Sequence, residues 1–193
     1  MKVQIITGST RKERVSDRIS DWVAHEAKNL PDTKVEIVDL ADYPIPFFDE
    51  AISPQYNPDR NPDPSVAKLL TKLSEADAFV LVTPEYNRSY SAVLKNVLDN
   101  IDFQFKQKPV ALVAHGSTGG AQAVSHLRGA IPGLLGITVP SATYLIGRAG
   151  ELINGEGVLE EELKANPYGP QAALKNTLAE LKWYSDALSA ARN

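Results

Sequence analysis

Between positions 8 and 16 the chain reads Gly-Ser-Thr-Arg-Lys-Glu-Arg-Val-Ser. The hydroxyls of Ser9, Thr10 and Ser16, the Arg11 guanidinium and the free amides of a helix starting behind them all suit a phosphate. The stretch lacks the Gly-Lys-Ser/Thr of a Walker loop and is not a Gly-x-Gly-x-x-Gly dinucleotide turn. Taken alone it reads equally well as a surface turn before a capped helix. A second stretch, Thr83-Pro84-Glu85-Tyr86-Asn87-Arg88-Ser89, offers backbone amides, one side-chain amide and one aromatic ring. That set suits the edge and face of a planar heteroaromatic ligand; alone it also fits a proline-initiated turn ahead of a Ser-capped helix. In a third stretch, His115-Gly116-Ser117-Thr118-Gly119-Gly120, glycines let the backbone approach a ligand closely and reach carbonyl oxygens with its amides. The alternative there is a tight strand-to-helix turn. His25 and His126 read as helix residues without a catalytic role, and His115 lacks the neighbouring ligands a metal site would need, so no metal site is expected.

The elements around these stretches alternate. Residues 3–7, 34–38, 78–83, 110–114 and 137–146 read as strands; the third and fourth are continuous apolar runs, as in strands covered on both faces. Ile19, Trp22, Val23, Ala27 and Leu30 fall on one helical face, with Ser16 as its expected N-cap. Asp63-Pro64 opens a second helix with proline at its first position. Val93, Val97 and Ile101 mark a third, and Val124, Leu127 and Ile131 a fourth that Pro132 should end. Leu174, Leu178, Leu181 and Leu188 space out a long last one. Pro140 favours an edge position for the fifth strand.

This order predicts an α/β fold: a flavodoxin-like three-layer α/β/α sandwich on a five-stranded parallel sheet, order 2-1-3-4-5, with residues 1–193 as one domain. Ligands of such sheets sit outside the carboxyl ends of the strands. The three stretches follow strands one, three and four, neighbours in that order, and are therefore expected to converge. Two segments stand outside the pattern. Residues 41–63 are too long for a routine connection; their Phe47, Phe48 and Tyr56 would cap an acceptor site, pack under the loop or meet a partner subunit. Residues 147–170 read as a loop, a short acidic helix and a turn.

Composition narrows the classes further. The chain has no cysteine, which excludes disulfides, thiolate metal sites and a cysteine nucleophile. A formal charge of -4 provides no net basic character for a nucleic acid partner. No apolar run approaches the ~20 residues of a membrane span, and no signal-peptide pattern precedes the first strand, so the expected location is cytoplasmic, with no membrane partner.

Together these residues resemble the NADPH-dependent FMN reductase family, whose members include quinone, azo-dye and chromate reductases. The matching pieces are Gly8-Ser9-Thr10-Arg11, Arg14 and Ser16, with Trp22 further on, then Pro84-Glu85-Tyr86-Asn87 and Ser89, with Leu94-Lys95-Asn96 and Asp99. Lys108-Pro109-Val110, Gly116-Ser117, Gly119-Gly120 and His126-Leu127-Arg128 complete the match, which runs from about residue 2 to residue 139. By resemblance, Ser9, Arg11, Arg14 and Ser16 hold the FMN phosphate. Pro84, Glu85, Tyr86 and Asn87 line the isoalloxazine, and Gly116, Ser117 and Gly119 contact its pyrimidine side. Asp17 stands where many members carry asparagine.

The resemblance implies FMN as cofactor, NADPH or NADH as electron donor, and a homodimer or homotetramer. No side chain is needed as acid, base or nucleophile, since the flavin carries the chemistry. The expected cycle is ping-pong, ending on a small-molecule acceptor: a quinone, a flavin, an azo compound or a metal ion. Arg14, Arg18 and Arg88 are the cations available to a 2′-phosphate. Two other readings share the fold: a flavodoxin-type electron carrier, which would tend to be more acidic, and a flavin-free binding domain.

Overall fold

The computed structural model describes residues 1–147 and 149–192. Strands β1 (Lys2–Thr7), β2 (Lys34–Asp39), β3 (Ala78–Pro84), β4 (Pro109–Gly116) and β5 (Ile137–Ile146) form one parallel sheet in the order β2-β1-β3-β4-β5. Every residue of the central strand β3 is buried, as its unbroken apolar run requires. β5 lies at an edge, where Pro140 is tolerated.

Helices cover both faces. Side chains alternate along each strand, so Phe79 and Leu81 of β3 join one core while Val80 and Val82 join the other. The first core is closed by α2 (Pro64–Ser74), α3 (Ala92–Asn100) and α4 (Ala121–Ala130), the second by α1 (Ser16–Ala27) and α7 (Pro170–Arg192). Asp63 caps α2 by accepting the Ser65 amide at 2.8 Å, with Pro64 at the first position. α4 ends before Pro132 and tightens into a short 3-10 turn. Two short helices, α5 (Ala149–Leu152) and α6 (Glu161–Ala165), fall between β5 and α7.

The expected cap of α1 is corrected. Val15 is the N-cap and makes no side-chain bond; Ser16 is the first helical residue, and its hydroxyl is bonded elsewhere.

The long connection after β2 is braced along its length. Asn96 of α3 accepts the Phe48 amide at 2.9 Å and donates to the Pro46 carbonyl at 2.8 Å. The Arg60 guanidinium, almost fully buried, grips Glu50 at 2.7 and 2.9 Å and the Asn100 carbonyl at 2.8 Å. Phe47 and Tyr56 are each 80% exposed, so neither packs under the loop.

Candidate functional site

The three polar turns meet at the carboxyl end of the sheet and are tied together by hydrogen bonds. Gly8 leaves β1 against β3, its amide donating to the Val82 carbonyl at 2.8 Å. A Cβ there would lie 2.7 Å from that same carbonyl oxygen, so only glycine fits. The first turn reaches the second through Ser9 Oγ and Tyr86 OH, 3.1 Å apart, and through a bond from Ser91 Oγ to the Gly8 carbonyl. It reaches the third through Ser16 Oγ and His115 Nε2, 2.9 Å apart and buried. Glu85 joins the second turn to the third, accepting Thr118 Oγ1 at 3.1 Å and the Gln122 amide at 3.0 Å. A carboxylate at the first turn of α4 is also where the helix dipole favours negative charge.

The second turn is a tight hairpin. Tyr86 and Ser89 exchange both backbone bonds, at 2.8 and 3.0 Å, while Asn87 and Arg88 sit at φ 49° and 68°. Positive φ at both central positions marks the mirror-image turn, in which asparagine is comfortable and arginine is not. The following helix is capped by a serine, Ser91, whose Oγ accepts the Leu94 amide, while Ser89 Oγ pairs with His126 Nδ1 at 3.0 Å.

A cavity of about 350 Å³ opens between the turns, a size suited to a small ligand. It is lined by Arg11, Arg14 and Ser16 from the first turn, Pro84, Glu85 and Tyr86 from the second, and Gly116 from the third. Seven of the residues singled out in the sequence therefore share one space. The other four do not line it. Asn87 and Ser117, with Glu85, Arg88 and Thr118, line a neighbouring opening of about 450 Å³. Ser9 is 1% exposed and lies behind the wall, occupied by Tyr86 OH and the Arg11 amide. Gly119 is buried, its amide spent on the Gly116 carbonyl at 2.9 Å.

The charges within this frame differ in availability. Arg14 donates to the Ser9 carbonyl at 2.7 Å and is ion-paired with Asp39. Arg11 is exposed, and its guanidinium meets no carboxylate among the described residues. Asp17 does not line the cavity: its carboxylate accepts the Arg18 amide at 2.8 Å and stands 3.9 Å from Arg14 Nε. The N-cap residue Val15 makes no side-chain bond, so the Ser16 amide at the cavity edge has no cap, while the Arg18 amide is taken by Asp17. His115 is 7% exposed, and burial pushes its imidazole down to about 4, so it is neutral at neutral pH.

An unpaired guanidinium, a hydroxyl and an uncapped helix amide at one end fit a phosphate. A proline, an aromatic ring and glycine backbone at the other fit a flat ring.

Five lining positions are not among the predicted site residues: Glu13 and Val15 on the first turn, and His115, Gly147 and Gly150. His115 opens the third stretch, and strand alternation puts it on the α1 side of β4. Gly147 and Gly150 follow β5, and the carboxyl-end rule that selected the other turns points to this one as well. Among the described residues no cluster of metal-ligating side chains occurs. No helix there is long and apolar enough to cross a membrane.

Fold and site together define a flavodoxin-like protein with a polar candidate site at the carboxyl end of its sheet. Comparison with known proteins narrows this class. Residues 1–151 match the family model of the NADPH-dependent FMN reductases. The chain belongs to the NADPH-dependent FMN reductase family, whose cofactor is FMN and whose electron donor is NADPH or NADH.

It is 39% identical over 145 residues to an FMN-dependent NADPH-azoreductase of Staphylococcus saprophyticus, covering 73% of this chain and 74% of that one. It is 35% identical over 127 residues to an NAD(P)H-dependent FMN reductase of Schizosaccharomyces pombe, covering 66% of this chain and 64% of that one. The match thus spans somewhat less than two thirds of the yeast relative. In three dimensions it resembles the flavoenzyme NAD(P)H:(acceptor) oxidoreductase FerB of Paracoccus denitrificans, with a TM-score of 0.73 at 23% identity, over 96% of this chain and 97% of that one. That likeness supports the fold.

Proposed function

We propose that this chain is an FMN-dependent NAD(P)H oxidoreductase that transfers two electrons by a ping-pong cycle to a small-molecule acceptor. The candidate acceptors are a quinone, a flavin, an azo compound or an oxidised metal ion. The reading is carried by the convergence of Arg11, Ser16, Pro84, Tyr86 and Gly116 on one cavity beside an uncapped helix N-terminus. The names of its relatives, FMN reductases and azoreductases, supply the donor and one acceptor class.

FMN, when bound, would supply the two-electron redox chemistry between nicotinamide and acceptor. The protein's own residues bind and orient. Arg11 and Ser16 take the phosphate with the uncapped amide at the start of α1. Arg14, held by Asp39, shapes the first turn and adds positive field. Pro84 and Tyr86 take the ring, with Ser9 fixing the Tyr86 hydroxyl from behind. Gly116 lets the backbone approach the ring edge, where amides of the second and third turns stabilise negative charge. Asn87, Ser117 and Arg88 extend the site into the neighbouring opening, where the donor's remaining groups would lie.

Residues 1–193 act as one unit in this reading, since α7 completes the core behind the site. The exposed Phe47, Ile52 and Tyr56 on a braced loop suit burial against a second copy, so a homodimer or homotetramer is proposed, with a cytoplasmic location.

The test is anaerobic mixing of the FMN-loaded protein with NADPH and with NADH. A reductase bleaches fully in one two-electron phase and recovers its colour when a quinone is added. Persistence of a one-electron spectrum would mark a carrier, and absence of bleaching by either nucleotide would overturn the proposal.

A further inference from the structure

We infer that His115 is a positioning residue for the flavin phosphate: its ring carries its proton on Nε2 and donates to Ser16 Oγ, which turns the serine hydroxyl proton toward the cavity. The inference rests on the FMN reading above and names a residue to which that reading gives no part.

The argument is one of proton counting. Ser16 Oγ and His115 Nε2 lie 2.9 Å apart, and the two residues are 1% and 7% exposed, so their mutual bond is buried although both residues border the cavity. A serine hydroxyl has one proton, and a neutral imidazole has one N–H. If that N–H is on Nδ1, Nε2 is an acceptor and consumes the serine proton. Ser16 would then face a phosphate with lone pairs alone, and repel it. If the N–H is on Nε2, His115 donates, and the serine proton is free for a phosphate oxygen. Only the second arrangement makes Ser16 a phosphate ligand.

The surroundings agree with a neutral, orienting ring rather than a cation. Charged groups that line the cavity or stand beside the pair in sequence include Arg11, Glu13 and Arg14 on the first turn, Asp17 and Arg18 on α1, and Glu85 on the second turn. Arg14 is held by Asp39, Asp17 by the Arg18 amide, and Glu85 by Thr118 and the Gln122 amide. None of these contacts is made to the imidazole. Ser16 is likewise free of the capping role its position suggests, because Val15 is the N-cap. Its hydroxyl therefore has two directions to serve, the ring behind it and the cavity in front.

The test separates the phosphate arm from the ring arm by comparing FMN with riboflavin, which lacks the phosphate. Dissociation constants for both are measured by flavin fluorescence in the wild-type protein, Ser16→Ala, His115→Leu, His115→Gln and the Ser16→Ala/His115→Leu double variant. His115→Leu should weaken FMN several-fold, because the Ser16 hydroxyl loses the donor that turns its proton toward the phosphate. Riboflavin affinity should be unchanged, which also reports that the variant is folded. His115→Gln, whose amide can donate from the same place, should recover part of the loss. The double variant should bind FMN no worse than Ser16→Ala, because the two residues act in series.

Independently of any variant, nitrogen-15 spectra of the FMN-loaded wild-type protein should show His115 protonated on Nε2. An unchanged ratio of FMN to riboflavin affinity in His115→Leu, or a ring protonated on Nδ1, would overturn the inference. Wild-type protein that binds neither flavin would instead overturn the proposed function and take this inference with it.

Discussion

The two ends of the sheet use charge in opposite ways. At the amino end, Lys2, Glu36, Lys72 and Glu75 form a closed ring of opposite charges, with Lys72 Nζ 2.9 Å from Glu36 and 3.2 Å from Glu75, and Lys2 Nζ 3.1 Å from Glu36. Partial burial pushes the Glu36 carboxyl up, but hydrogen bonds from Lys72, Gln4 and Lys2 outweigh it and hold it at about 2. At the carboxyl end, Arg11 is ion-paired with no carboxylate among the described residues, the N-cap of α1 makes no side-chain bond, and a buried histidine is held neutral. The first arrangement is complete in itself. The second leaves a cation unpaired among the described residues, which is what the proposed phosphate site requires and a structural network does not.

This contrast is tested most strongly by acid. The His115 imidazole titrates near 6.5 in an unfolded chain but only at about 4 in the fold. Between those values the unfolded chain binds more protons, so the stability held above pH 6.5 is lost as pH falls through 4. The loss is roughly 3 kcal/mol. Urea unfolding at the two pH values should show it in wild-type protein and not in His115→Leu. Glu36 has the same sign in a lower window, between its ordinary 4.5 and about 2. It is part-exposed, so it contributes only about 1 kcal/mol.

A smaller effect follows from close packing at the carboxyl end. Gly8→Ala forces a methyl to 2.7 Å from the Val82 carbonyl and 3.3 Å from Leu94. The backbone oxygen cannot yield, so we expect about 2 kcal/mol of destabilisation and a fall in Tm of roughly 4–8 °C, with weakened FMN binding. Calorimetry with and without FMN checks both.

The smallest effects sharpen the comparison most. Arg11→Ala should weaken FMN about tenfold and change the stability of the flavin-free protein by less than about 0.5 kcal/mol. Lys72→Met should do the reverse, lowering stability slightly and leaving FMN affinity intact. A stability loss in Arg11→Ala as large as that in Lys72→Met would erase the distinction between the two ends.

Much of this was legible in the residues alone. Apolar runs and turn residues identified all five strands, and the order 2-1-3-4-5 put three distant turns side by side, because parallel connections leave the carboxyl-end loops of β1, β3 and β4 adjacent. What the residues could not convey was direction. Ser9 and Ser16 look alike as hydroxyls on one turn, yet one is sealed behind Tyr86 and the other lines the cavity. Arg11 and Arg14 look alike as cations, yet Asp39, distant in sequence, claims the second. Ser16 looks like a cap because caps are read from neighbouring residues, whereas its actual partner, His115, is 99 positions away. Long-range hydrogen bonds decide such roles, and local patterns do not encode them.

The central claim is that the cradle at the carboxyl end of the sheet receives FMN with its phosphate at Arg11 and Ser16 and its ring against Tyr86 and Gly116. A crystal structure of the FMN complex tests it most directly, and we predict the phosphate within hydrogen-bonding distance of both side chains. FMN found in the cavity of about 410 Å³ beside Tyr144, Leu163 and Tyr168, with the Arg11 cradle empty of phosphate, would contradict the account.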